Sequence, residues 1–207
     1  MPEQTRPPLT RIQQKNRDVI LQAALSVFSS GGFNGSTIDQ IAETAGMSKP
    51  NVLYYFSSKD EIYCTLLQQL LQTWLAPLEQ LDPTGDPLEE LLKYVRIKLC
   101  MSRDFPRESR LFAHEILQGA PQLRNVLAME LKPLIDAKVA VLKDWMDRGA
   151  IMRTDPHHLI FSIWALTQHY ADFETQVRAV LGPGHDPFGE AEQFLDNLYR
   201  RILTVNF

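Results

Sequence analysis

Cysteine is scarce in this chain, and long apolar runs are missing altogether. Only Cys64 and Cys100 occur among 207 residues. Both sit inside helical patterns, and both are expected to be reduced, buried, small hydrophobes rather than partners in a disulfide. No apolar run reaches the ~18 residues of a membrane helix. The opening stretch MPEQTRPPLT has two successive prolines and no hydrophobic core. It is expected to be a flexible arm rather than a signal peptide, and a cytoplasmic location follows. Strand-like alternation never lasts beyond about four residues, and there is no repeat or low-complexity segment. Catalytic signatures are absent too: no G-x-S-x-G, no P-loop and no dinucleotide fingerprint. His114-Glu115-x-x-Gln118 approaches a zinc-binding HExxH but has glutamine, a poor zinc ligand, at the last position. His157-His158 beside Asp155 reads as the polar start of a helix. No catalytic residue, metal or cofactor is expected.

What is present is helix. With 44% hydrophobic and 22% charged residues the chain is an ordinary globular protein. Periodicity and breakers divide it into about nine helices. Residues 10–30 carry the apolar stripe Ile12, Val19, Leu21, Ala24, Leu25 and Phe28, stopped by Gly31-Gly32. Two short helices follow, then one from Ser57 or Ser58 to about Leu81, which Pro77 should bend or end. LDPTGDP breaks the chain, residues 88–102 and 107–118 are helical, and Gly119-Ala120-Pro121 breaks it again. A long helix over 123–148 should kink at Pro133. Asp155 caps a helix over 156–181 that is apolar nearly all round, and residues 188–205 form the last. The expected fold class is all-α, with an arm at 1–9, a small three-helix domain at 10–56 and a larger helical domain at 57–207. Helices apolar on more than one face need more than one partner. A second copy of the chain, meeting the first through the last two helices in a four-helix bundle, supplies it.

The stretch 36–59, STIDQIAETAGMSKPNVLYYFSSK, reads as helix, tight turn, helix. Thr37 and Gln40 are spaced as a capping box. Gly46 ends the first helix, Ser48 caps the second, and Pro50 fits its first turn. The second helix has few apolar anchors, so its place is at the surface, where a recognition helix presents donors to base edges and phosphates. The formal net charge of −4 argues against a polyanionic partner, but its distribution does not. Residues 1–60 hold six basic and five acidic side chains, and Arg6, Arg11, Lys15 and Arg17 form a run with no acid among them. Such a cluster gains from counterion release.

The segment GGFNGSTIDQIAETAGMSKPNVLYYFSSKDEIY closely resembles the N-terminal signature of the TetR family of repressors. The resemblance implies an all-α homodimer that binds operator DNA and answers to a small molecule. TWLAPL (73–78), SRDFPRESRLF (102–112), GAP (119–121) and DPHHLIFSIWALTQHYADF (155–173) resemble one branch of that family, which senses uracil and thymine and governs pyrimidine degradation. Pro50 departs from that branch, which has threonine there, and bears on the operator sequence.

In the DNA-facing half, Thr37 and Lys59 stand at helix starts, where side chains and backbone N–H groups hold phosphates. Ser48, Lys49 and Asn51 are the base-edge or groove candidates. Tyr54 and Tyr55 match family positions that touch DNA, and at least one should reach a phosphate; Phe56 is expected in the core. In the ligand half, Trp164 and Gln168 are four apart on one helical face, and Trp74 comes from another helix. Tryptophans are commonly core residues, but a glutamine inside an apolar helix needs a partner: an unpaired buried amide costs about 1–3 kcal/mol. A carboxamide matches the N–H beside C=O edge of uracil, and indoles suit a flat ring. Leu75, Phe112 and Tyr170 complete the expected site. Glutamine alone cannot separate uracil from cytosine, because its amide can rotate. Two alternatives stay open: an enzyme, and a regulator that senses another hydrophobic or planar molecule.

Overall fold

The computed structural model describes residues 10–205, and every regular element among them is helical. The expected arm at 1–9, with Arg6, lies outside the described residues. Two compact units divide the chain, Met1–Leu67 and Gln68–Phe207.

The first unit contains α1 (Arg11–Gly31), α2 (Ile38–Thr44), α3 (Lys49–Tyr55) and the start of α4 (Lys59–Glu79). Thr10 caps α1 in a reciprocal box with Gln13. The buried face of α1 is Ile20, Leu21, Ala23, Ala24, Leu25 and Phe28. This corrects the sequence stripe: Ile12 and Val19 are 74% and 37% exposed. Ile20, four residues before Ala24, takes the inward position that Val19 had been given. Ile41 and Ala42 of α2, Val52 of α3, and Phe56 and Ile62 complete the core. The rings of Tyr63 and Phe28 meet in a T-shaped pair at 5.0 Å between centroids.

The second unit is built round α5 (Pro87–Asp104), which packs against α6 (Pro106–Leu117), α9 (Pro156–Asp172) and α11 (Pro187–Leu203). Leu91, Leu92, Val95, Leu99, Leu142, Trp145, Ile160, Ile163, Leu195 and Tyr199 form its core. Pro77 lies inside α4, which ends two residues later at Glu79. The kink expected at Pro133 takes another form. α7 (Arg124–Val126) runs through a π-helical turn (Leu127–Leu131) into α8 (Lys132–Asp147). Proline lacks an N–H, and its ring crowds the carbonyl four residues back, that of Met129. The Lys132 N–H reaches the Leu127 carbonyl instead, and the ladder widens just before the proline.

The helix expected over 156–181 is two helices, α9 and α10 (Glu174–Leu181), broken at Phe173 (φ −115°, ψ 29°). No glycine or proline causes the break. The Arg110 guanidinium donates to the Ala171 carbonyl at 3.1 Å, and the Ser109 hydroxyl donates to Asp172 at 2.6 Å. Contacts from α6 thus take groups at the end of α9. The cysteines are free, and they differ from expectation in burial alone: both are only part-buried. Among the described residues, no helix is long and apolar enough to cross a membrane.

Candidate functional site

The turn between α2 and α3 is held by short-range hydrogen bonds. Thr37 Oγ1 accepts from the Gln40 N–H, and Gln40 Oε1 accepts from the Thr37 N–H. Gly46, at φ 66°, lets its own N–H reach the Glu43 carbonyl while the Met47 N–H reaches Ala42, a left-handed helix stop. Ser48 Oγ then accepts from the Asn51 N–H. The backbone of the motif is therefore specified locally, and α3 keeps one buried anchor, Val52.

The predicted DNA residues fall into two groups. Thr37, Ser48, Lys49, Asn51 and Tyr54 are exposed. Lys49 pairs with Asp39 at 2.8 Å, both half exposed or more, so the pair is cheap to break. Tyr54 is 71% exposed, and its hydroxyl accepts from Gln13. Tyr55 and Lys59 are drawn inward. The Tyr55 hydroxyl accepts from Asn16 at 2.7 Å, and its carbonyl accepts from Arg17 at 2.7 Å. Arg17 also lies 4.0 Å over the ring of buried Phe56. The Lys59 ammonium donates to the Phe33 and Ser36 carbonyls at 2.8 and 2.9 Å. Lys59 therefore pins the loop that leads into α2. At the start of α4, Ser58 Oγ accepts from the Glu61 N–H, and the Glu61 carboxylate accepts from the Ser57 N–H.

In the second unit, a cavity of about 660 Å³ opens between α4, α5, α6, α9 and the π turn. Five of the predicted ligand residues line it: Trp74, Leu75, Phe112, Trp164 and Gln168. Tyr170 does not. It faces a separate groove with His169, Val177 and Phe194. Two positions along a helix amount to about 200° of rotation, so a residue two after Gln168 points away from it.

The other walls are apolar, from Leu71, Ala113, Ile116, Leu117, Leu127 and Leu131, but three charged groups enter. Lys98, Arg110 and Asp172 are not among the residues expected from the sequence, although Arg110 and Asp172 lie in the stretches 102–112 and 155–173. Lys98 was nevertheless legible, because it lies on the helical face of Leu91, Val95 and Ser102, all buried. It is 3% exposed, and its ammonium sits 4.5 Å over the Trp74 ring. Burial pushes its pKa down to about 7, against the opposing charge of Asp172. Burial likewise raises the Asp172 carboxyl, offset by the Ser109 hydrogen bond and the Arg110 charge.

The three tryptophans differ in how their N–H is used. Trp145 donates to the Pro83 carbonyl at 3.1 Å, and Trp164 donates to the Tyr94 hydroxyl at 2.6 Å. The Trp74 N–H is buried without a partner among the described residues. Nor do the Gln168 carboxamide and the Lys98 ammonium hydrogen-bond to any described residue. The cavity is thus an apolar chamber with several unspent polar groups, the usual character of a small-molecule site.

Comparison with known proteins places this architecture. Residues 20–64 match the family of bacterial regulatory proteins, tetR family, and residues 67–206 match the YcdC-like protein, C-terminal region. The chain is 50% identical over 194 residues to the HTH-type transcriptional regulator RutR of Escherichia coli strain K12, covering 94% of this chain and 92% of that protein. It is 41% identical over 149 residues to the HTH-type transcriptional repressor NicS of Pseudomonas putida, covering 70% and 69%. Among solved structures, SCO4942 from Streptomyces coelicolor shares the fold with a TM-score of 0.74 at 24% identity, covering 91% of this chain and 98% of that one. AibR, solved with isovaleryl coenzyme A and operator DNA, does so with a TM-score of 0.71 at 16% identity, covering 88% and 97%. The chain belongs to the TetR family of transcriptional regulators.

Proposed function

We propose that this regulator binds operator DNA as a homodimer and is released from it by uracil or thymine, acting as a repressor of pyrimidine degradation genes in the cytoplasm. The observation that carries the effector is the cavity: two indoles and a half-buried carboxamide on two helices, in an otherwise apolar chamber. The carboxamide offers an acceptor beside a donor, which pairs with the N–H beside C=O edge of the ring. The stretches at 73–78, 102–112, 119–121 and 155–173 support the same effector through their resemblance to the pyrimidine-sensing branch.

On the DNA side, Ser48, Lys49, Asn51 and Tyr54 reach base edges and phosphates. Thr37, Tyr55 and Lys59 orient α3 and offer what donors they have left to the backbone. Phe161, Phe194 and Ile202, about half exposed on α9 and α11, meet their counterparts in the second copy. Repression is relieved by linkage. Ligand favours a spacing of the two recognition helices that fits DNA poorly, at a coupling of about 1–3 kcal/mol. α4, which starts at Lys59 and carries Trp74, transmits it.

The cavity volume favours one second reading. A single pyrimidine ring fills only part of about 660 Å³, so a larger planar or hydrophobic effector is the alternative. Thermal shift over uracil, thymine, cytosine and larger hydrophobic compounds separates the two. Stabilisation by uracil that cytosine does not produce supports the pyrimidine effector. Stabilisation by the larger compounds alone overturns it. If a Trp74→Ala protein releases operator at an unchanged uracil concentration, the link through α4 is wrong.

A further inference from the structure

Gln168 leaves a gap in the account of selectivity, because its amide rotates and can pair with uracil or with cytosine. The structure supplies groups that cannot rotate out of their role. An ammonium has three donors and no acceptor, and an indole has one donor and no acceptor. Lys98 and Trp74 both line the cavity, with the ammonium 4.5 Å over the centroid of the indole ring. Both side chains are at least nine-tenths buried, at 3% and 5% exposed. Neither N–H group has a hydrogen-bond acceptor among the described residues. The other two tryptophans of the chain do have one. Buried donors left unspent at the wall of a chamber call for acceptors brought by the occupant.

We propose that Lys98 and Trp74 form a carbonyl-reading pair. On this proposal the cavity takes planar rings that carry two carbonyl oxygens and rejects rings in which an amino group replaces one of them. It rests on the small-molecule reading of the cavity given above, and it names the residues that set the ligand class. An amino group turned toward Lys98 or Trp74 sets donor against donor. The pair is left unpaired and the ring loses its own solvation, a mismatch that sites of this kind convert into large discrimination. Asp172 lines the same cavity, and one of its two carboxylate oxygens accepts from Ser109 at 2.6 Å.

The test is a calorimetric titration of wild type, Lys98→Met and Trp74→Phe. The panel holds uracil, thymine and phthalimide as dioxo rings, cytosine and 2-aminopyrimidine as amino rings, and indole as an apolar ring. Thermal unfolding of each variant checks that it folds. Wild type is expected to bind at least one dioxo ring about 100-fold more tightly than any amino ring. Lys98→Met is expected to cut that ratio at least about ten-fold, and Trp74→Phe, which keeps a ring but removes the donor, to cut it less. An undiminished ratio in both folded variants overturns the pair, even if uracil binds to all three proteins. Phthalimide binding that depends on Lys98, with no uracil or thymine binding, keeps the pair and overturns the pyrimidine effector. A wild type that prefers the amino rings or indole, or that binds nothing in the panel, overturns both.

Discussion

The loop and turn around α2 and the cavity beside α4 treat their polar groups in opposite ways. In the first, nearly every named donor or acceptor is spent within the chain: Thr37 on Gln40, Ser48 on Asn51, Tyr55 on Asn16, Lys59 on Phe33 and Ser36. In the second, the side chains of Trp74, Lys98 and Gln168 make no hydrogen bond among the described residues. A surface that must meet DNA in a set orientation gains from a backbone that is already rigid. A chamber that must detect a ligand has to keep free the groups that ligand will satisfy, and the cost falls on the stability of the empty protein.

Deleting polar groups in the two places should therefore have opposite signs. The largest effect is expected for Lys98→Met. Replacing a buried cation that has no hydrogen-bond acceptor by an apolar side chain of similar length should stabilise the unliganded protein, by about 3 kcal/mol, as read by urea unfolding without ligand. Destabilisation would mean that Lys98 is paired in solution and that the comparison fails at its main point. Lys59→Met should do the reverse. It removes two charge-assisted hydrogen bonds to carbonyls and should cost about 1.5–3 kcal/mol, seen as a lower unfolding midpoint of the N-terminal unit.

The pH dependence follows from the same cation. The Lys98 pKa stands at about 7 in the unliganded protein, and carbonyl acceptors on a ligand would raise it. Affinity for a neutral dioxo ring should then be full below about pH 7 and fall as pH rises above it, by up to ~1.4 kcal/mol per unit. Asp172 of α9 and Arg110 and His114 of α6 face the same cavity. A titration of uracil affinity from pH 6 to 9 in wild type and Lys98→Met isolates the lysine, because only the wild-type slope should depend on it. The unfolded chain keeps the lysine proton up to its ordinary range, so between about 7 and 10.5 the unfolded state binds more protons. The Lys98 contribution to stability should rise with pH across that window.

Smaller effects belong to the turn. Thr37→Ala and Ser48→Ala should each cost ~1 kcal/mol as lost N-caps, and together they should weaken operator binding through the placement of α3. Lys49→Ala should change stability by less than ~1 kcal/mol, because its pair with Asp39 is exposed. It should also lower the salt dependence of DNA binding by about one phosphate contact, as read by fluorescence anisotropy at several salt concentrations.

What could be read in the sequence was local. Capping spacings, the turn glycine and the apolar periodicity define α1 to α3 because each depends on residues within about four positions. The shared face of Trp164 and Gln168 was legible for the same reason. Lys98 is written in the sequence as a charge on an apolar stripe, a place from which a lysine usually snorkels to solvent; its burial is a tertiary fact. Tyr170, two residues past Gln168, lies on another side of the helix and lines a separate groove.

The rest was decided in three dimensions. Nothing near Phe173 breaks a helix. The break arises where Arg110 and Ser109, more than sixty residues earlier, take the Ala171 carbonyl and the Asp172 carboxylate. Pro133 announced a disturbance, but only the packed helix shows that a π turn absorbs it. That Trp145 and Trp164 find acceptors while Trp74 does not depends on which chains approach each indole. By itself, the sequence determined most of the helices, several of their caps and the family, because those follow from near neighbours and period. Tertiary structure alone decided which polar groups were spent and which were left over, because a hydrogen-bond partner is set by distance in space.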